Sequence, residues 1–379
     1  MLLALLVLGA PAQLDAQQGW RKWVFAAAGA VLIGAPASIA EEQDDMFCGT
    51  RPCMISAGAA LGATVGFLLG RELDAKQSRE DAVGPRLRLD ARAVQLEFAP
   101  TGLALHDGGA VAIGTQGLAR VDLGGGLHPL GGDIRGVTAV AAFPDRGALL
   151  AATPAGIFAF QLDGGGEGRQ LLPHSAGVLA ALGPAALLLG RGPVWQRLRL
   201  SGQGAGVTLE EVASVEAGEG VAVAAAHAAY AGTVWTLTGT RLTARTETSL
   251  AELGTLTLPA RGRSLSLDGG RALIAAGGDG LFLADVSRPE APRLIAQLRG
   301  VDFAFDAVLV GDQAYVAAGG LGLLVVDITD PVQPQITGVA RELGFVADVE
   351  RGSDGRLWAL DREGARVHVV EPRPGSPGS

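Results

Sequence analysis

The chain has 379 residues, 48% of them hydrophobic and 18% charged, a globular composition that excludes disorder for most of its length. Its net charge is −9 and its only lysines are Lys22 and Lys76, so no basic block beyond the N-terminus offers a footprint for a nucleic-acid backbone, and that class of partner is set aside. Aromatics are 5% while glycine reaches 57 residues, which favours many short Ala/Val/Leu strands punctuated by glycine turns over a few heavy helices.

The first element is a leader. "MLLALLVLGAPAQLDAQ" has an apolar core followed by small residues, with Ala10-Pro11-Ala12 and Leu14-Asp15-Ala16 both acceptable to a signal peptidase, so residues 1–16 read as a signal peptide without a basic n-region. The alternative extends the signal to residue 40: "WRKWVFAAAGAVLIGAPASIA" carries Arg21 and Lys22, an apolar stretch, and Ser38-Ile39-Ala40 before an acidic EEQDD. Either reading exports the chain to the cell envelope, with the bulk of it in the periplasm or at the surface.

Residues 20–70 follow as a helical hairpin or a single membrane helix. In "GAALGATVGFLLG", Gly58, Gly62, Gly66 and Gly70 are four residues apart and line one helix face, a groove along which another backbone can approach. The uncharged run from Cys53 to Gly70 is about the length that crosses a bilayer. The segment resembles the glycine-zipper segments of bacterial envelope proteins, which implies membrane association and self-association; a buried, soluble Ala/Gly helix is the other reading. Cys48 and Cys53 close the short loop "CGTRPC", which in an exported chain reads as a disulfide, two free thiols being the alternative. No histidine stands beside them to complete a metal site. Residues 71–85 form a charged linker ending in Gly-Pro.

Residues 86–370 repeat. Gly280, Asp285, Pro289 and Pro292 of "GGDGLFLADVSRPEAP" lie 42 residues before Gly322, Asp327, Pro331 and Pro334 of "GGLGLLVVDITDPVQP". Gly364 falls another 42 on, with Val369 in the aspartate's place. Upstream, Gly117 and Asp122 keep the same internal spacing and Gly156 stands in a partial copy, while Gly192 and Gly239 mark blurred ones. The seven glycines are 39, 36, 47, 41, 42 and 42 residues apart, each preceded by a short apolar strand entered through a turn. A unit of this size is a four-stranded propeller blade, and a closed ring stacks every sheet on a neighbour where a lone blade cannot bury its faces. The expectation is an all-β propeller of seven blades, within a range of six to eight. The last blade stops after three strands at Val370, so "RLRLDARAVQLEF", Arg86 to Phe98, is expected to complete it and remove the open edge. Residues 371–379 read as a disordered Pro/Ser/Gly tail.

The two best copies resemble the LVIVD repeat, a propeller-forming repeat of mostly extracytoplasmic bacterial and archaeal proteins. Asp285 and Asp327 match the aspartate of that repeat. The resemblance implies a propeller with a binding or scaffold role and carries no catalytic residue with it.

Sites of chemistry are sparse. The five histidines, His106, His128, His174, His227 and His368, share no metal-ligand spacing, and no nucleophile elbow, phosphate loop or zinc-protease motif occurs, so no metal or cofactor is expected. One charged pattern keeps the blade period: Arg299 and Arg341 are 42 apart, as are Asp306 and Asp348, at the corner where an outer strand crosses to the next inner strand. Arg135 and Arg261 sit at comparable junctions. These arginines either pair with carboxylates between blades or converge on an anionic ligand. The sequence therefore points to a non-enzymatic envelope propeller that binds a protein or glycan partner at a membrane. The alternative is a propeller hydrolase or lyase acting at the channel mouth.

Overall fold

The computed structural model describes residues 84–106, 108–130, 134–163, 166–217, 222–228 and 232–372. The leader, the glycine-rich segment with Gly58, Gly62, Gly66 and Gly70, the Cys48/Cys53 pair and the end of the tail lie outside the described residues. Among the described residues no helix is long and apolar enough to cross a membrane.

Among the described residues, seven four-stranded antiparallel sheets follow one another. Their innermost strands are Pro100–His106, Ala139–Phe143, Val178–Ala181, Ala222–Ala228, Ser264–Asp268, Asp306–Val310 and Val346–Arg351, and each touches the next around a closed circle, the seventh touching the first. Within a blade the chain runs outward strand by strand, then returns inward to start the next blade. The seventh blade is the exception: its fourth strand is Ala91–Gln95, from the start of the domain, paired in register from Ala91 with Val370 to Gln95 with Arg366. The expected closure is thus present, on a strand shorter than the thirteen-residue stretch assigned to it. The preceding residues run along the sixth blade first, where Leu87 N–H donates to Val339 O and Val339 N–H to Pro85 O, both at 2.9 Å. Glu371, assigned to the tail, is instead held: its N–H donates to Asp90 O and its carboxylate accepts from Arg356.

The hydrophobic core is a series of joints between neighbouring sheets. Ala148–Thr153 and Thr233–Thr238, second strands of their blades, are buried at every position because a sheet lies against each face. This is why Ala148–Thr153 reads as a nearly continuous apolar run in place of alternation, while Thr233–Thr238 buries three threonines among its apolar residues. Small Ala and Val set the close spacing, and single tryptophans fill the wider gaps: Trp195, Trp235 and Trp358 are at most 1% exposed. Trp195 also needs a polar partner, and its indole N–H donates to Thr238 Oγ1 of the next blade at 3.0 Å.

The repeat residues are turn-makers. All seven periodic glycines lie at the hairpin between the second and third strands, as the strand ranges show. At Gly322 the reason is explicit: φ is +86°, and a Cβ there would stand 2.2 Å from the carbonyl oxygen of Ala340 on the outer strand. Asp327 ends the third strand, and its Oδ1 accepts from Thr329 N–H at 2.8 Å. Asp285 does the same with Ser287 N–H at 3.0 Å and the Ser287 hydroxyl at 2.6 Å. Those bonds, to Ser287 and to Thr329, hold both carboxyls below the usual aspartate range. Asp122 departs from the pattern, pairing with Arg120 and His128.

Candidate functional site

The seven innermost strands surround a central channel of about 520 Å³. Its wall is asymmetric. Blades one to four contribute apolar groups such as Leu103, Val140, Val178, Leu179 and Val223, whereas blades five to seven contribute Arg263, Ser264, Phe305, Asp306, Asp348 and Glu350. Among the described residues, the charged groups lining the channel are therefore gathered on one side.

The carboxylates reach across joints. Asp306, the first residue of the sixth innermost strand, accepts from Val349 N–H of the seventh blade at 3.0 Å. Asp348 repeats the act one blade on, accepting from Leu103 N–H of the first blade at 2.7 Å. Gly102 leaves room for this, since a Cβ there would be 3.2 Å from Asp348 Oδ2. Ser266 performs the equivalent service from the fifth blade, its hydroxyl accepting from Leu309 N–H at 3.1 Å. Burial, then Asp306, then Glu350 push the Asp348 carboxyl well above its usual range. Burial first and Asp306 second raise Glu350 to about 8.

The rim beside these acids is aromatic and basic. Phe303 and Phe305 have ring centroids 4.5 Å apart, and Phe305 meets Phe345 edge-on at 5.5 Å. Arg263 lies over Phe303 at 5.1 Å and Phe305 at 5.9 Å, and Arg362 over Phe305 at 5.5 Å and Phe345 at 4.7 Å. Gly319, with φ +57°, lets two rings settle on the backbone, since a Cβ there would stand 2.8 Å from Phe305 and 3.2 Å from Phe345.

The structure brings together two of the six charged residues singled out in the sequence, Asp306 and Asp348. The four arginines are not in the channel wall. Arg135, Arg261 and Arg299 are exposed at the blade junctions, and Arg299 donates to Gln297 of its own outer strand at 3.3 Å. Arg341 is half-buried in the short turn Arg341–Leu343. Sequence reasoning passed over Glu350, Arg263, Arg362 and the three phenylalanines. A signal existed for one pair, because Phe303 and Phe345 are 42 residues apart. Arg263 and Arg362 occupy different places in their blades, a junction and a hairpin turn, so no period links them.

His128 pairs with Asp122 at 2.8 Å, and His368 is buried in the seventh blade, where desolvation lowers its pKa. Among the described residues no three His, Cys, Asp or Glu side chains are arranged to hold a metal ion.

Comparison with known proteins agrees with the fold. The LVIVD repeat family model matches residues 304–340, which is the sixth blade. No curated protein sequence matches the chain. Among solved structures, U3-55K is similar with a TM-score of 0.61 at 12% identity, over 76% of this chain and 100% of that one. The β-propeller domain of Cps50 (Swd1) from Myceliophteria thermophila gives 0.60 at 12%, over 75% and 100%. The WD40 propeller domain of Doa1 gives 0.60 at 10%, over 76% and 97%. At these identities the likeness is one of fold.

Proposed function

We propose that this chain is a non-enzymatic binding propeller, exported and held at a cell-envelope membrane by residues 20–70, that presents its channel-mouth face to a protein or glycan partner. One observation carries the reading. The periodic channel carboxylates Asp306 and Asp348 are engaged with backbone N–H groups of the next blade, so they fasten the ring, while the rim offers aromatic and guanidinium groups of the kind enriched at binding hot spots. The leader pattern and the glycine-rich segment support the location. The test is fractionation of cells producing the full chain, with and without reductant, followed by cross-linking. The expected result is recovery with the envelope membrane in a cross-linked complex. Recovery in the soluble cytoplasmic fraction overturns the location, and recovery solely as the uncomplexed chain overturns the binding role.

A second reading, hydrolysis or lyase chemistry at the channel mouth, is favoured by Glu350, whose raised pKa suits a general acid near neutral pH. Turnover of ester, glycoside or uronide substrates that is lost in Glu350→Gln would establish it, and absence of turnover across those classes would dismiss it.

A further inference from the structure

We infer that the rim formed by Arg263, Arg362 and the three clustered phenylalanines is a docking site for an acidic peptide segment, two carboxylates of which pair with the two guanidinium groups. The inference rests on the binding-propeller reading and names the chemistry of its partner.

Both guanidinium groups are spatially prepared and chemically unused. Each is exposed, each is laid over two ring faces, and neither makes an ion pair or hydrogen bond through its side chain among the described residues. Other arginines of the propeller behave differently: Arg120, Arg271, Arg293 and Arg356 each have a carboxylate within 3.2 Å. Stacking occupies only the face of a guanidinium and leaves its in-plane N–H fork free for a carboxylate. It also restrains a side chain that would otherwise lose rotamer freedom on binding, so less ordering remains to be done when a ligand arrives.

The spacing narrows the ligand. Both guanidinium carbons lie within 5.9 Å of the Phe305 centroid, so they are at most about 11 Å apart. In an extended peptide, side chains at i and i+2 share a face and stand about 6.6–6.8 Å apart. Two acidic residues at that spacing reach both arginines, and the residue between them turns the other way. A long polyanion fits less well, because the chain as a whole carries −9. The rings beneath the arginines supply apolar area that a peptide side chain covers and a free carboxylate does not.

The test is fluorescence anisotropy with the full chain and a labelled extended peptide bearing Glu-Thr-Glu, against its Gln-Thr-Gln counterpart and a labelled oligouronate. The expected result is a Kd at least tenfold lower for the Glu peptide. That preference is lost in the R263Q/R362Q double variant, and each single Arg→Lys variant, which keeps the charge without the fork, retains part of it. Unchanged melting and circular dichroism of the double variant show that the fold is intact. Equal binding of the Glu and Gln peptides, Glu-peptide binding unaffected by R263Q/R362Q, or preference for the oligouronate would each overturn the inference. If the double variant still forms the cross-linked envelope complex of the wild type, the binding propeller stands and the acidic-peptide site falls. If the wild type forms no complex, the broader reading falls with it.

Discussion

The Asp348 carboxylate of the seventh blade accepts a 2.7 Å hydrogen bond from the Leu103 N–H of the first, at the joint that closes the ring. Replacing Asp348 with Ala leaves that N–H without its partner, at a cost of about 1–3 kcal/mol. Asp348→Asn keeps an acceptor oxygen and removes a buried acid, so it is expected to retain wild-type stability or exceed it. Urea midpoints of the two variants decide the matter: equal losses in Ala and Asn would mean that the bond to Leu103 is not the stabilising feature.

The strand Ala91–Gln95 supplies the seventh blade's outer edge, and Val94 within it is buried at 7% exposure. Val94→Asp places an unpaired charge in the joint between the seventh and first blades, and a loss of about 3 kcal/mol or more is expected. Because the ring closes there, susceptibility to proteolysis is expected to rise first in residues 346–370, the strands left with an open edge. Uniform cleavage around the ring would argue against this strand as the fastener.

Gly322 combines positive φ with a carbonyl 2.2 Å from a Cβ. Gly322→Ala therefore carries left-handed strain of about 1–3 kcal/mol together with a clash that only movement of the outer strand relieves. Gly117 makes the useful control, since its hydrogens face open space and it lacks positive φ. Gly117→Ala is expected to shift the melting temperature far less, and equal shifts would show that the carbonyl approach is immaterial.

Acid and alkali are expected to destabilise the ring through different groups. Glu350 ionises near 4.5 in the unfolded chain and at about 8 in the fold, where it faces Asp306 and Asp348 and shares the channel with Arg263. The folded state holds the proton more tightly, so this stabilisation is complete below 4.5 and is lost as pH rises through 8. His368 runs the other way: burial depresses its pKa below 6.5, so its contribution is present above that value and is lost on acidification. Glu350→Gln is expected to flatten the alkaline limb of a melting-temperature profile and leave the acid limb alone. An unchanged alkaline limb would remove Glu350 from the account.

Sequence alone determined the ring. The hairpin glycines, the aspartate-and-proline exits and a unit of blade length are local signals, each acting within a few residues of the turn it makes. Closure was legible for a related reason: three strands at one end and one strand at the other leave a single arrangement without an open edge. Membership of the site was not legible in the same way. The blade period drew attention to Asp306 and Asp348, which line the channel, and equally to Arg299 and Arg341, which do not. It passed over Arg263, Arg362 and Glu350, each of which has a neighbour from another blade. The placement of Arg263 and Arg362 over one ring, and the effect of Asp306 on Asp348, depend on distances across joints. Those distances arise only when seven sheets close on one another, and tertiary structure alone decided them.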